Sequence, residues 1–484
     1  MKPHSTLSLL LLPIFIVWFV AAEPSQAGDR TVHRANASGS APISLHPENS
    51  HYFLWRGKPT VLLTSAEHYG AVLNSEFNGQ AYLDTLAADE LNYTRIFSGA
   101  YVEPLGAFGI ARNTLAPEVG KLICPWARST EPGYANGGNK FDLTQWDAAY
   151  FARLKDYVDL ASQRNIVVEV TLFCPMYGEE QWALSPMNVA NNVNGVGIVQ
   201  GHSVHTLDQS GGLLSYQESL VRKMVTELNP FDNVIYEICN EPYFGGVALD
   251  WQHHIVDTIV QTERKLPHQH LIAQNIANQT ATIERPHPAV SIFNFHYATP
   301  PVAVTTNYSL NRAIGDDETG FNGQSNESYR TEGWAFIMAG GSLYNNLDYS
   351  FTAGHENGTY AYPANQPGGG NPTFRNQMKT LGSFIRSFDF IRMKPDPTVI
   401  KGSLPKSGKA WALVQPDQAM AIYLHTPESA ATNLLIELPK GQWQADWIDP
   451  KTGQSLGKSE VPGGLANLIV PNYQLDIAVR LTVR

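Results

Sequence analysis

The residues best suited to chemistry in this chain stand where short apolar runs stop. The run Val234-Ile-Tyr-Glu-Ile-Cys239 is followed by Asn240, Glu241 and Pro242, so a proline ends a buried strand and leaves a carboxylate at its tip. Arg312-Ala-Ile-Gly-Asp-Asp-Glu-Thr-Gly320 ends a second short strand in acids, and Ile292-Phe-Asn-Phe-His-Tyr297 ends a third in His296 and Tyr297. Two carboxylates at two strand ends, flanked by His, Tyr and Asn, are the constellation expected of an acid/base and nucleophile pair acting on a glycosidic bond. Glu241 is the strongest single candidate. Glu169 and Glu237 lie within strands and read as buried structural acids paired with an interior Arg or Lys. His202 and His205 stand in a long loop, where solvation is the commoner fate. Glu67, His68, His355 and Glu356 also end strands, and His68 is the best of them by its place on the first. Metal hydrolases on such a frame want His-x-His there; Glu67-His68-Tyr69 does not supply it, and no metal or cofactor is expected.

The elements that must position these residues alternate short apolar, β-branched runs with longer amphipathic segments from about Pro59 to Phe388. Eight strands are expected, at Thr60-Thr64, Tyr93-Phe97, Ile166-Phe173, Val234-Cys239, His270-Gln274, Val290-Phe295, Arg312-Gly315 and Ser342-Asp348. Helices are expected at Gln80-Leu91, Thr144-Arg164, Tyr216-Leu228, Leu249-Lys265, Tyr329-Ala339 and Thr373-Phe388. This is an α/β class chain, a (β/α)8 TIM barrel, and the absence of GxGxxG after the first strand argues against a doubly wound sheet. The long stretches Ser98 to Phe141 and Pro175 to Gly212 follow the second and third strands and are expected to build a cleft on the active face. After about Pro395 the pattern turns to short alternating strands, Ala410-Val414, Ala419-His425, Leu434-Leu438 and Gln444-Ile448, which read as a small all-β sandwich. Trp411, Trp443 and Trp447 are expected in its core or against the barrel rather than as a sugar-stacking platform. The domain reading is residues 1–27 signal peptide, 28–395 catalytic barrel and 396–484 accessory β-domain.

Composition narrows the partners. Hydrophobic residues are 43% and charged residues 16% of 484, which suits a globular, loop-rich chain. The net charge of −11, from 33 Lys+Arg and 44 Asp+Glu, comes without any basic run, so a phosphate backbone has no electrostatic footprint and nucleic acid is not an expected partner. Lys2, an apolar stretch from Leu7 to Ala22, and Ser25 and Ala27 read as a secretory signal, placing the folded part outside the cell or in a periplasm. The competing reading is an uncleaved N-terminal anchor, because the run nearly spans a bilayer. Cys124, Cys174 and Cys239 fit no disulfide framework and are expected as buried thiols.

Asn240-Glu241-Pro242 at the fourth strand, His296-Tyr297 at the sixth and Asp317-Glu318-Thr319-Gly320 at the seventh resemble the retaining glycoside hydrolases of clan A, particularly the cellulase-like family 5 group. Asn92-Tyr93-Thr94-Arg95-Ile96-Phe97 is similar to that family's second strand with its arginine, and the trailing Trp447-Ile-Asp-Pro-Lys-Thr-Gly453 looks like an accessory domain appended to related barrels. The resemblance implies Glu241 as acid/base, Glu318 as nucleophile, and Asn240 as a donor to the substrate 2-hydroxyl. It further implies Arg95 and Tyr297 as partners holding Glu318 ionised, with His296 lining the cleft and His68 beside it. The carboxylate held by Arg and Tyr should stay anionic, and the one left near a mostly apolar wall should keep its proton. Choosing Glu318 over Asp317 rests on the Glu-Thr-Gly match. Two departures stand out: strict alternation would put Asn240 and Glu241 on opposite faces, so the strand must end irregularly, and the eighth strand lacks the tryptophan that floors the family's sugar subsite. The expected partner is a carbohydrate, cleaved as a plant- or microbe-type polysaccharide or oligosaccharide. The alternative is a non-catalytic glycan-binding protein on a degenerate barrel, which would normally have lost one of the two acids.

Overall fold

The computed structural model describes Met1 and residues 41–484, so the expected signal segment, Met1 aside, lies outside the described residues. Eight parallel strands form one sheet: β1 (Leu62–Ala66), β2 (Tyr93–Phe97), β3 (Val167–Phe173), β4 (Val234–Cys239), β5 (Leu271–Asn278), β6 (Ile292–His296), β7 (Ala313–Thr319) and β8 (Leu343–Leu347). Their order is β1-β8-β7-β6-β5-β4-β3-β2, the sequential order of a (β/α)8 barrel. Between β1 and β2 the ring is sewn by Asn92, whose backbone amide donates to the Leu63 carbonyl at 3.3 Å. Asn92 Oδ1 accepts the Leu63 amide at 2.9 Å and Asn92 Nδ2 donates to the Val61 carbonyl at 2.9 Å.

Helices Gly79–Ala88, Ala148–Gln163, Leu214–Leu228, Leu249–Glu263, Asn326–Met338 and Pro372–Arg386 cover the barrel. Their starts are chemically marked where Asn78, Asp147, Ser325 and Asn371 accept backbone amides of the first turn. The second helix begins later than its periodicity suggests, because Asn139–Trp146 is a strand paired with Trp126–Pro132. That hairpin gives the long β2 connection regular structure of its own. Between β5 and β6 no helix forms.

The barrel interior is layered by strand alternation. At the N-terminal end Leu62, Tyr93, Val167, Ile235, Ala273, Ile292, Ala313 and Leu343 make an apolar plug, covered by Phe53 and Trp55 from a small three-stranded sheet and by Ile43 just before it. Two residues further along the same strands stand Thr64, Arg95, Glu169, Glu237, Asn275, Asn294 and Asn345, all buried. The interior therefore changes from hydrocarbon to charge within one residue pair.

The C-terminal region is a six-stranded antiparallel sheet: β9 (Lys394–Pro395), β10 (Lys409–Gln415), β11 (Ala419–His425), β12 (Asn433–Ile448), β13 (Ser455–Ile469) and β14 (Asp476–Val483), ordered β9-β10-β11-β14-β12-β13. The two strands expected at 434–438 and 444–448 are one long strand with a register shift between Leu438 and Gln442. Leu434 and Ile436 before the shift and Trp443 and Trp447 after it share one apolar core. Trp411 lies partly buried on Tyr423, which stacks on Trp334 of the helix Asn326–Met338. Arg330 on that helix pairs with both oxygens of the buried Asp476 at 3.0 and 2.9 Å. The tryptophans thus fill the core and the seam with the barrel.

Candidate active site

The site forms where the strands end irregularly. Glu241 follows β4 with φ +34°, a left-handed backbone that non-glycine residues rarely adopt, and its amide is held by Asn275 Oδ1 at 2.9 Å. That turn breaks the alternation, so Asn240 and Glu241 both line the same cavity. Tyr69 (φ +60°) after β1 and Tyr297 (φ +52°) after β6 are bent in the same way. On β7 the ladder to β8 slips between Asp316 and Thr319 and the ladder to β6 between Phe295 and His296. Asp317 faces inward, yet Glu318 still reaches the cavity.

Glu318 accepts the Tyr297 hydroxyl at 2.6 Å on one oxygen and the Tyr69 hydroxyl at 2.8 Å on the other. Glu241 accepts from His296 Nδ1 at 3.0 Å, from Tyr177 at 2.5 Å and from Tyr243 at 3.3 Å. One oxygen of each acid and a His296 ring nitrogen lie within 4.8 Å of one another. Arg95 is engaged mainly elsewhere. Its guanidinium grips Glu237 twice at 2.6 Å and Asn240 Oδ1 at 2.7 Å, and reaches Glu318 only at 3.4 Å.

The residues beneath the cavity set the protonation of those above. Burial opposes charge on His296, but Glu318, Asp317 and Glu241 around it hold its proton far above the usual imidazole range. Burial likewise opposes charge on Asp317, which Arg95 and His296 nevertheless keep ionised below the usual carboxylate range. Glu241 is also drawn below that range, since the His296 contact and the Tyr177 hydroxyl outweigh its burial. The expectation of an apolar wall favouring its proton is corrected here. Glu169, with Tyr93 and Asn294 as donors, is pushed well above the carboxylate range by burial and by Glu237 and Asp317.

Of the seven residues expected at the site, His68, Asn240, Glu241, Tyr297 and Glu318 line a cavity of about 400 Å³. Arg95 and His296 are fully buried below its floor and touch the acids. His205 packs on Phe173 and Trp251 in the core. Tyr69, Tyr177, Tyr243 and Glu103 were not anticipated; only Tyr69 carried a sequence signal, as neighbour to a strand-end histidine. The rim was missed as well: Phe108, Phe244 and Phe321, from the connections after β2, β4 and β7, are 45%, 44% and 40% exposed around the mouth. Cys124, Cys174 and Cys239 are buried thiols.

Among the described residues, two clusters have donor atoms close enough for a cation, Glu241/His296/Glu318 and Glu169/Glu237/Asp317. In the first, the Tyr69, Tyr177 and Tyr297 hydroxyls already bond the two carboxylates, and in the second the Arg95 guanidinium already bridges Glu237 and Asp317. These donor sets do not fit a resident metal.

The family model for cellulase, glycosyl hydrolase family 5, matches residues 57–335. No curated protein matches the sequence. Among solved structures the chain is similar to a glycoside hydrolase family 5 protein from Bacteroides vulgatus ATCC 8482, with TM-score 0.64 and 14% identity, covering 91% of this chain and 93% of that one. A putative glycoside hydrolase from the same organism gives TM-score 0.65 and 14% identity, covering 92% and 83%. Another structure, described as a glycoside hydrolase, gives 0.63 and 13%, covering 92% and 97%. At such identities the likeness is one of fold.

Proposed function

Because the chain belongs to glycosyl hydrolase family 5, the cellulase family, and so is an enzyme that hydrolyses glycosidic bonds, we propose that it does so with retention, Glu318 acting as nucleophile and Glu241 as acid/base. The observation that carries this reading is the approach of the two acids. An oxygen of each acid within 4.8 Å of the other supports the roughly 5–5.5 Å carboxyl separation of a retaining pair over the roughly 6.5–9.5 Å of an inverting one.

In the first step a Glu318 oxygen bonds to the anomeric carbon as the bond to the leaving oxygen breaks, and Glu241 delivers a proton to that oxygen. His296, hydrogen-bonded to Glu241 at 3.0 Å, is the adjacent proton reservoir that loads it before this step and takes the proton back once the second step is complete. Esterification removes the negative charge of Glu318, so both His296 and Glu241 become weaker bases and stronger acids. Glu241 then takes a proton from water, whose oxygen attacks the anomeric carbon and frees Glu318. Tyr69 and Tyr297 donate to the carboxylate that leaves, and Asn240, which lines the same cavity, would serve the 2-hydroxyl in this reading.

The substrate in this reading is a plant- or microbe-type polysaccharide or oligosaccharide, whose rings the Phe rim would stack. The leader-like segment, Lys2 followed by Leu7 to Ala22, supports export of the folded chain to the outside of the cell or a periplasm. The test is an NMR time course of hydrolysis. The first product should have the anomeric configuration of the substrate, and an inverted first product overturns the double displacement.

A further inference from the structure

A second cavity adjoins the acid/base and has no part in the proposed mechanism. No helix forms between β5 and β6, and the stretch that stands in its place contributes Thr282 and Ile283 to a groove of about 430 Å³. Pro242 and Tyr243, which follow Glu241 directly in the chain, line this groove too. Asn275, a further lining residue, holds the Glu241 amide at 2.9 Å, and the Tyr243 hydroxyl lies 3.3 Å from the Glu241 carboxylate. The same hydroxyl donates at 2.5 Å to Asn278, which lines the active cavity. One wall therefore separates the two spaces.

The chemistry of the groove lies in two buried glutamines. Gln274 on β5 and Gln252 on the helix Leu249–Glu263 are 3% and 5% exposed, and both line it. Gln274 Nε2 donates to Gln252 Oε1 at 2.8 Å, a contact that uses one half of each amide. The other halves, Gln274 Oε1 and Gln252 Nε2, have no hydrogen-bond partner among the described residues, and neither atom is sealed from solvent. Turning both amides over exchanges the roles and gives the same result, one free acceptor beside one free donor. Buried amides are ordinarily partnered, so this pair is set to take a partner from outside.

The surroundings say what that partner is. Val247, Leu249 and Ile276 add hydrocarbon around the glutamines. Asn307, itself buried, fixes the Ile283 stretch in advance by accepting the Ile283 amide at 3.0 Å and donating to the Ala281 carbonyl at 2.9 Å. Such prior ordering is what a recognition surface needs. Arg285 already pairs with Asp250 at 3.1 Å and stands next to Glu284 in the lining, so an ionic ligand finds little here. Apolar walls with a neutral donor and acceptor match a sugar ring, whose C–H groups meet hydrocarbon while one hydroxyl accepts and its neighbour donates. The volume falls within the roughly 300–1,000 Å³ of small-ligand sites. We propose that this groove is a second carbohydrate site, in which Gln252 and Gln274 hold one sugar unit of the substrate while another part of the same molecule lies at Glu241 and Glu318. This inference rests on the glycosidase reading and adds a second point of attachment to it.

The experiment uses the full chain, a panel of 4-nitrophenyl glycosides, and short and long oligosaccharides of the sugar that the panel identifies. The readout is kcat/KM on the long oligosaccharide divided by kcat/KM on the 4-nitrophenyl glycoside, which is too small to reach both sites. Gln252→Leu/Gln274→Leu removes the free donor and acceptor and should lower this ratio roughly tenfold, mainly by raising KM on the long substrate. Thr282→Trp fills the groove from an exposed position and should do the same, which keeps the test open if the glutamine variant does not fold. A ratio that stays at the wild-type value in either folded variant overturns the site. If wild type hydrolyses these glycosides with a KM that does not fall as the chain lengthens, the glycosidase reading stands and this inference fails. If wild type is inert on all of them, the glycosidase reading falls and takes the inference with it.

Discussion

The two ends of the barrel interior are made by the same eight strands and do opposite things. At the N-terminal end each strand contributes a hydrocarbon, and Leu62, Val167, Ile235, Ile292 and Leu343 are without exposure. Fully burying each such side chain contributes about 1.5–3 kcal/mol. Two residues on, the interior holds Arg95, Glu169 and Glu237, and above them His296 and Asp317, with Asn294 Oδ1 and Asn345 Oδ1 buried and lacking hydrogen-bond partners. Charges taken from water stabilise little or nothing on balance even when paired. The apolar end holds the barrel together so that the polar end can be kept in an arrangement it would not choose. At the polar end, left-handed backbones at Tyr69, Glu241 and Tyr297 bend the strand ends toward the cavity.

The sharpest way to separate the two ends is one substitution in each. Glu318→Gln should lower kcat by roughly 10³-fold or more, with a melting temperature near that of wild type. If activity survives there and is lost in Asp317→Asn, the nucleophile is Asp317. Glu241→Ala comes next. It should slow substrates with poor leaving groups by roughly 10²–10⁴-fold, spare activated aryl glycosides in the first step, and respond to added azide. Equal loss on both substrates, with no azide effect, would remove Glu241 as the acid.

Arg95→Met belongs to the polar end but should read out as stability as well as activity. It strands Glu237 and Asp317 without their shared cation, and breaking a buried pair from one side costs about 3–5 kcal/mol. At the other end Leu343→Ala should cost about 2–5 kcal/mol by denaturant unfolding, while the folded fraction keeps wild-type kcat. A Leu343→Ala protein that is stable but slow would show that the two ends are coupled.

The periodic part of this molecule was legible from its residues. All eight barrel strands fall within a few residues of their expected positions because buried parallel strands are near-continuous apolar runs. Glu241 stood out in the sequence because a proline directly after an acid at a strand end is unusual, whereas Glu318 was singled out over Asp317 only by the Glu-Thr-Gly match. What escaped was whatever depends on chain meeting chain. Tyr177 lies 64 residues before Glu241, and Glu103 contacts His68 only through a loop whose path no local pattern specifies. The single bent strand β12 looked like two because Pro439 and Gly441 interrupt its alternation. The protonation of Glu241 was misjudged for the same reason: an apolar wall was inferred from sequence, and three hydrogen-bond donors replaced it.

The smallest expected effect tests that last point. Tyr177 donates to Glu241 and also accepts from Asn240 Nδ2 at 2.8 Å, so Tyr177→Phe removes one stabiliser of the carboxylate and leaves the His296 contact in place. A hydrogen bond to a charged group contributes about 1.5–3 kcal/mol, so its loss moves the Glu241 carboxyl even with His296 still present. The direction is upward: without Tyr177 the proton on Glu241 is held more tightly. The alkaline limb of kcat/KM, where the free enzyme loses the proton that the leaving group needs, should therefore move to higher pH. Stability follows the opposite sense. A carboxyl depressed below its ordinary 4.5 contributes stability that is present above that pH and lost as pH falls through its folded value. Tyr177→Phe gives up part of this contribution, so the variant should melt below wild type at neutral pH and the gap should close in acid. An alkaline limb that stays fixed while the melting gap behaves as described would assign that limb to the His296 imidazolium, and the proton delivered to the leaving oxygen would then be counted on the pair.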